Sequence, residues 1–276
     1  MPDIRLIALD LDGTVFDDEK RISARTLQAI RAALDRGVDV VPATGRQAGG
    51  IPAEFLQMPG VRYALTANGA SVVELASGRS VVRLPFDDAL AQQVLAAVQP
   101  FGGVIGVFID GACYGDPDSA ARVESTCPPA LLPYVRASRQ VVPDMPACLA
   151  AHPGQVEKFS ILYGAAATRD AAWAAVAAAC PGAEITSSVP CNLEVNAPGV
   201  NKGRGLMALA AELGLDPAQV MACGDSGNDL AMIRLAGLGV AMANASPDVL
   251  AAAYAVTLDN NHDGVAAASE TYVLGA

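Results

Sequence analysis

The stretch Ile4–Thr14, IRLIALDLDGT, decides how the fold is read. Apart from Arg5, the run from Ile4 to Leu9 is apolar, short and rich in Ile and Leu. That suits a strand buried on both faces. Two carboxylates, Asp10 and Asp12, follow at the strand's carboxyl end, where open α/β sheets place their ligands. Side chains alternate along an extended chain, so the spacing sets Asp10 and Asp12 toward one side. Gly13 lets the chain turn sharply just after them. An EF-hand loop is excluded, because it would need Gly where Val15 stands and a carboxylate where Arg21 stands.

Outward from this stretch, SARTLQAIRAALDRG reads as a helix. Ser23 is its N-cap, Leu27, Ile30 and Leu34 share one face, and Gly37 stops it. VDVVPAT is a second buried strand. Strand, helix, strand makes a βαβ unit, hence a parallel sheet with a right-handed crossover. The far end repeats the rhythm: a helix over 203–213, a strand VMACGD, a helix GNDLAMIRLAG and a strand LGVAM. A helix near 247–253, a strand YAVT and a helix after Asp263 follow.

The middle differs. VVEL, a turn at ASG and SVVRL predict a hairpin over 72–84. Gly and Pro are frequent from 100 to 154, and the Pro128–Pro129 pair excludes a regular element there. EKFSILY alternates as a half-exposed strand does, and a helix over 168–180 and a strand near 183–188 follow. The fold class is therefore α/β: a parallel-sheet, Rossmann-like core from residues 1–84 and 190–276, with an inserted α+β domain over 85–189, the position that the resemblance described below gives to a cap domain.

Composition bounds the function. The chain has 276 residues, 52% hydrophobic and 17% charged, which excludes disorder. A chain of this size buries about 70% of its surface on folding. With 29 acidic against 18 basic residues the net charge is −11, the reverse of a nucleic-acid binder's balance. Cys113, Cys127, Cys148, Cys180, Cys191 and Cys223 show no C-x-x-C spacing, and His152 and His262 are the two histidines. A Cys/His zinc site is not expected, and the thiols are read as reduced, in a cytoplasmic protein. No signal peptide and no apolar run of membrane-spanning length is evident, so neither nucleic acid nor membrane is an expected partner.

Three further constellations carry chemistry. ATGR, 43–46, lies at the end of the second buried strand, where Thr44 offers a hydroxyl and Arg46 a guanidinium suited to phosphate oxygens. Lys202, in GVNKGRG, precedes a helix whose N-terminus attracts anions. Gly203, Gly205 and Ala208 also fit the dinucleotide pattern G-x-G-x-x-A, with Asp225 twenty residues after Gly205, but six residues separate the strand LEVN from Gly203 where that fingerprint follows its strand closely. In GDSGNDLAM, 224–232, Asp225 ends a strand and Asp229 lies one helical turn on. Hard carboxylate ligands of this kind suit Mg²⁺.

Taken in order, DLDGT, Thr44, Lys202 and GDSGND resemble the four motifs of the haloacid dehalogenase superfamily of phosphohydrolases. The insert falls between the second and third, where the type-two caps of that family sit. TANGA (66–70), GVNKG (199–203), GVAMANA (239–245) and DGVA (263–266) narrow the resemblance to Cof-type phosphatases. The family often has Gly where Ala243 stands and a shorter segment where DNNHDG stands.

The resemblance implies a Mg²⁺-dependent phosphoric monoester hydrolase acting on small phosphorylated metabolites, sugar phosphates or phosphorylated cofactors, through an aspartyl-phosphate. Asp10 is then the nucleophile and Asp12 the acid and base. Mg²⁺ is held by Asp10, the backbone carbonyl of Asp12 and Asp225, with Asp229 behind them. Thr44, Gly45, Arg46, Lys202 and Asn228 attend the phosphate or substrate, and Phe108, Tyr114, Lys158 and Glu194 are candidate cap contacts. A phosphomutase on the same scaffold, a dinucleotide-dependent oxidoreductase and a non-catalytic binding module are the alternatives.

Overall fold

In the computed structural model, residues 3–129, 131–189 and 191–275 are described, so the expected boundary residue 190 lies outside the described residues. The chain opens with β1 (Leu6–Leu9), α1 (Ala24–Asp35), β2 (Asp39–Pro42), a short α2 (Ala53–Leu56) and three strands, β3 (Tyr63–Thr66), β4 (Ser71–Glu74) and β5 (Ser80–Arg83). It continues through α3 (Asp88–Val98), β6 (Val104–Ile109), β7 (Ala112–Gly115), α4 (Pro117–Thr126), α5 (Leu132–Ser138) and β8 (Arg139–Val141). Next come α6 (Met145–Ala151), β9 (Val156–Leu162), α7 (Ala166–Ala179), β10 (Glu184–Thr186) and β11 (Asn192–Asn196). The last stretch holds α8 (Lys202–Glu212), β12 (Val220–Gly224), α9 (Leu230–Leu235), β13 (Leu238–Ala241), α10 (Pro247–Ala252), β14 (Ala255–Val256) and α11 (Gly264–Ser269).

Two compact units result: residues 1–46, 51–83 and 201–276, and residues 47–50 with 84–200. In the first, five strands pair in the order β14-β13-β12-β1-β2. Every pairing is parallel, Leu6 standing opposite both Val220 and Asp39. All four residues of β1 and all five of β12 are buried, as strands covered on both faces require. The core joins Ile7, Leu9, Val40, Met221, Cys223 and Val240 to Ile30 and Ala33 of α1 and Val265 of α11. Strands β3, β4 and β5 form an antiparallel sheet, with the expected hairpin between β4 and β5.

The second unit has a six-stranded sheet, β10-β11-β9-β6-β7-β8, largely antiparallel, with β8 parallel to β7. Val104 and Leu162 pack with Val123 of α4 and Val135 of α5. Helix α3 packs on α7, and Phe86 meets Phe159 edge to face at 5.5 Å. Strand β11 pairs with β9 and β10, so this unit runs to Val200. The expected end at residue 189 is corrected: LEVN completes the inserted sheet and does not open the return to the parallel one.

Between β3 and β4 the TANGA loop packs backbone to backbone on the first turn of α8. Gly69 has φ +90°, and a Cβ there would stand 2.3 Å from the carbonyl oxygen of Asn201. Gly69→Ala combines that clash with a left-handed strain and pushes on the residue before Lys202. We expect a loss of about 2 kcal/mol, read as a lowered denaturant midpoint. An unchanged midpoint would show that the loop yields freely.

Candidate active site

Asp10 follows β1, and its backbone N–H donates to Cys223 of β12 at 3.0 Å, which fixes it at the carboxyl edge of the sheet. Its side chain is buried. Asp10 Oδ1 accepts from Lys202 Nζ at 2.5 Å, and Lys202 also donates to Asp229 Oδ1 at 2.6 Å. Lys202, the first residue of α8, and Asp229 are fully buried. Lys202, at the head of α8, is thus a bridge between two carboxylates. Burial acts to lower its pKa, but Asp10 and Asp229 outweigh it and push it up, so Lys202 stays charged.

Asp229 is held from two sides. Its Oδ2 accepts the backbone N–H groups of Asp225 and Ser226, both at 3.0 Å, and the Ser226 hydroxyl at 3.3 Å. Asp225 follows β12, and its Oδ1 accepts from Thr14 Oγ1 at 3.1 Å. Gly13 has φ +89°, and a Cβ on it would lie 2.5 Å from Asp225 Oδ2, so the turn after Asp12 needs glycine for both conformation and space.

Asp10, Asp225 and Asp229 each offer a carboxylate oxygen within 4.8 Å of the others. Asp10 Oδ2 is buried and accepts no hydrogen bond. An orphaned anionic oxygen is costly, and hard oxygens converging on it fit a divalent cation such as Mg²⁺. Burial, then the charge of Asp229, raises the Asp10 carboxyl well above its ordinary value, with Lys202 opposing. Burial and Asp229 likewise push Asp225 up to about 7.

Asp12 belongs to a different set. Strand β1 ends at Leu9 and the chain turns, so the alternation expected between Asp10 and Asp12 does not carry through. Arg46 grips Asp12 with both arms, Nε to Oδ2 at 2.9 Å and Nη2 to Oδ1 at 2.7 Å, and lies over the Phe16 ring. Lys20 Nζ adds a third bond to Oδ1 at 2.8 Å. Burial tends to raise the Asp12 carboxyl, but Arg46, then Lys20, hold it below its ordinary value. The Asp12 carboxylate is therefore outside the acidic cluster.

Thr44 follows β2, beside β1, and is buried. Its N–H donates to Leu65 at 2.9 Å, and its hydroxyl accepts from the Arg46 N–H at 3.1 Å. Gly45 lies between them. Asn228 is buried and donates to Asn68 Oδ1 at 3.2 Å. In the second unit Lys158 and Glu194 form a buried ion pair at 2.6 Å with Lys158 over the Phe108 ring, and Tyr114 stands 6.0 Å from the His152 ring. Thr14 and Lys20 are new to the site. Thr14 sat inside a motif read for its acids, and Lys20 was one lysine among three in a chain with fifteen arginines.

A family model described as haloacid dehalogenase-like hydrolase matches residues 7–268. The chain belongs to that family. The Cof-type resemblance stands with it. This haloacid dehalogenase-like hydrolase is 31% identical over 275 residues to the 5-amino-6-(5-phospho-D-ribitylamino)uracil phosphatase of Bacillus subtilis, across 99% of this chain and 97% of the relative. It is 30% identical over 251 residues to the HMP-PP phosphatase of Cronobacter sakazakii, across 90% and 87%. A solved haloacid dehalogenase-like hydrolase of B. subtilis superposes with a TM-score of 0.85 at 25% identity, covering 98% of this chain and all of the other. Among the described residues, no helix is long and apolar enough to cross a membrane.

Proposed function

We propose that this phosphoric monoester hydrolase acts on small phosphorylated metabolites, such as sugar phosphates or phosphorylated cofactor precursors, in the cytoplasm, through a phosphoryl group carried on Asp10. The observation that carries the reading is the buried Asp10 carboxylate with one oxygen on Lys202 and the other unengaged. Its phosphatase relatives support the substrate class.

Asp10 Oδ2 attacks phosphorus while the bond to the ester oxygen breaks, and Asp12, which takes up a proton as its cationic partners turn to the substrate's anionic groups, passes that proton to the ester oxygen. In the second step Asp12 takes a proton from the attacking water, the acyl-phosphate bond breaks, and inorganic phosphate leaves. Lys202 spends two of its three donors on Asp10 and Asp229, so one N–H is left for a phosphoryl oxygen. Thr44, Gly45, Arg46 and Asn228 are assigned to the phosphate or the substrate beside it. Asp10, the Asp12 carbonyl and Asp225, with Asp229 behind them, would hold Mg²⁺, which would supply positive charge against the incoming dianion. The inserted unit is assigned the choice among esters.

Release of inorganic phosphate from a panel of phosphorylated metabolites with Mg²⁺ present tests this reading. An isomeric phosphate ester as product, or no turnover of any ester, overturns it.

A pH dependence follows from Asp225. Its folded pKa of about 7 lies above the unfolded value of 3.8, so the folded chain holds a proton that the unfolded chain releases. The metal-free protein therefore loses this stabilisation as pH rises from about 4 to about 7. A cation binds the deprotonated form and competes with that proton. We expect Mg²⁺ affinity to rise with pH below about 7, close to tenfold per pH unit for the Asp225 proton and more steeply wherever Asp10 also holds one, as titrated by calorimetry in buffers of different ionisation enthalpy. A flat profile from pH 5.5 to 8 would mean that Asp225 is already ionised.

A further inference from the structure

We propose that Lys20 is a specificity residue for substrates carrying a second anionic group close to the ester oxygen. The inference rests on the reading of Asp12 as the group that meets the leaving oxygen.

Arg46 alone engages both oxygens of Asp12. Lys20 comes in addition, on an oxygen already taken. The chain has three lysines, and Lys158 and Lys202 are buried in ion pairs. Lys20 is the exposed one, its side chain 42% accessible, yet its ammonium turns inward to Asp12.

The backbone is built to send it there. Lys20 has φ +62°, a left-handed conformation that a lysine adopts at a cost. The turn that imposes it is closed by Lys20 N–H to the Asp17 carbonyl at 3.0 Å and by Arg21 N–H to Asp17 Oδ1 at 2.8 Å. It is tied down from the other end of the chain. Asn260 donates to the Phe16 carbonyl at 3.0 Å, and Asn261 donates to Asp18 Oδ2 at 3.1 Å while accepting from the Asp18 N–H at 3.1 Å. A merely solvated lysine needs neither the strained turn nor its anchors.

The ammonium has three donors and spends one on Asp12. The ester oxygen must come to Asp12, so the atoms bonded next to it come within reach of Lys20. A carboxylate or second phosphate there meets a cation whose present partner is already satisfied by Arg46. A hydroxyl at the same place gains little. The substrate class is therefore a phosphate ester with an anionic leaving group.

The test uses the full chain with Mg²⁺ and a matched pair, 2-phosphoglycerate and glycerol 2-phosphate, which differ by a carboxylate in place of a hydroxymethyl group beside the ester carbon. Each is measured as a substrate and as a competitor of p-nitrophenyl phosphate, so that a slowly hydrolysed ester still reports through its inhibition constant. The wild type is expected to favour 2-phosphoglycerate at least tenfold. Lys20→Gln should bring the ratio to within about twofold of unity, and Lys20→Arg should retain most of the preference. No preference in the wild type overturns the proposal. So does a Lys20→Gln variant in which both esters weaken by the same factor, since Lys20 then only positions Asp12. Failure to hydrolyse p-nitrophenyl phosphate at all would instead count against the phosphatase reading.

Discussion

Asp10→Asn should cut kcat at least 10³-fold, about 4 kcal/mol of barrier, without unfolding the protein. The amide keeps the carboxylate's shape but not its nucleophilic charge. The loss also removes one anion from Lys202, which keeps Asp229 at 2.6 Å and so remains paired. Circular dichroism should therefore be unchanged while phosphate release disappears. Asp12→Asn should behave differently. With a good leaving group such as p-nitrophenolate it should still phosphorylate Asp10, and the phosphorylated protein should then accumulate because no base assists water. Near-normal turnover by Asp10→Asn, or no phosphorylated protein with Asp12→Asn, would reassign the two acids.

Removal of the divalent cation should have an effect as large. A phosphate dianion approaching Asp10, Asp225 and Asp229 meets Lys202 as the cation bonded into that acidic cluster, and its charge is already shared. At 4 Å each like-charge contact costs about 4 kcal/mol at an effective dielectric of 20. Dialysis against EDTA should abolish phosphate release, and added Mg²⁺ should restore it. Ca²⁺ should bind but support little turnover, because its looser coordination fixes the in-line geometry poorly. Full activity after prolonged chelation would overturn the assignment of the acidic cluster to a metal.

The α/β ends of the chain were legible because strands buried on both faces, such as LIAL and VMACG, read as continuous apolar runs, and helices such as α1 carry their own cap. Ser23 does accept from the Thr26 N–H, as its position suggested. Lys202 opens α8 one residue earlier than expected, because Asn201 caps it by accepting from the Arg204 N–H. Frequent Gly and Pro from 100 to 154 leave the bounds of the elements there unmarked in the sequence. Here proline marks beginnings: Pro117, Pro133 and Pro146 each sit in the first turn of a helix, where a missing N–H costs nothing. Helix α3 went unread although Asp87 caps it from both Ala89 and Leu90.

In the site, the motifs located Asp10, Lys202, Asp225 and Asp229, since each lies where an element ends or begins. What spacing could not convey was partnership. Nothing local in DLDGT says that Asp10 will face Lys202 while Asp12, two residues on, will face Arg46 and Lys20. Those pairings depend on where the turn after Leu9 sends the chain and on which distant loop receives it.

The parallel pairing of β1 with β12 has a further consequence, for the order of events during synthesis. The proposed nucleophile is residue 10, yet the strand that flanks it begins at Val220 and the acid that steadies Lys202 is Asp229. A chain emerging from the ribosome carries Asp10 for most of its translation with one side of β1 unpaired. The apolar LIAL strand is then an open edge, exposed to misassociation while more than 200 residues are still to be made. On the proposed mechanism hydrolytic competence requires β12 and Asp229, so a chain cut short before β12 should retain no residual activity.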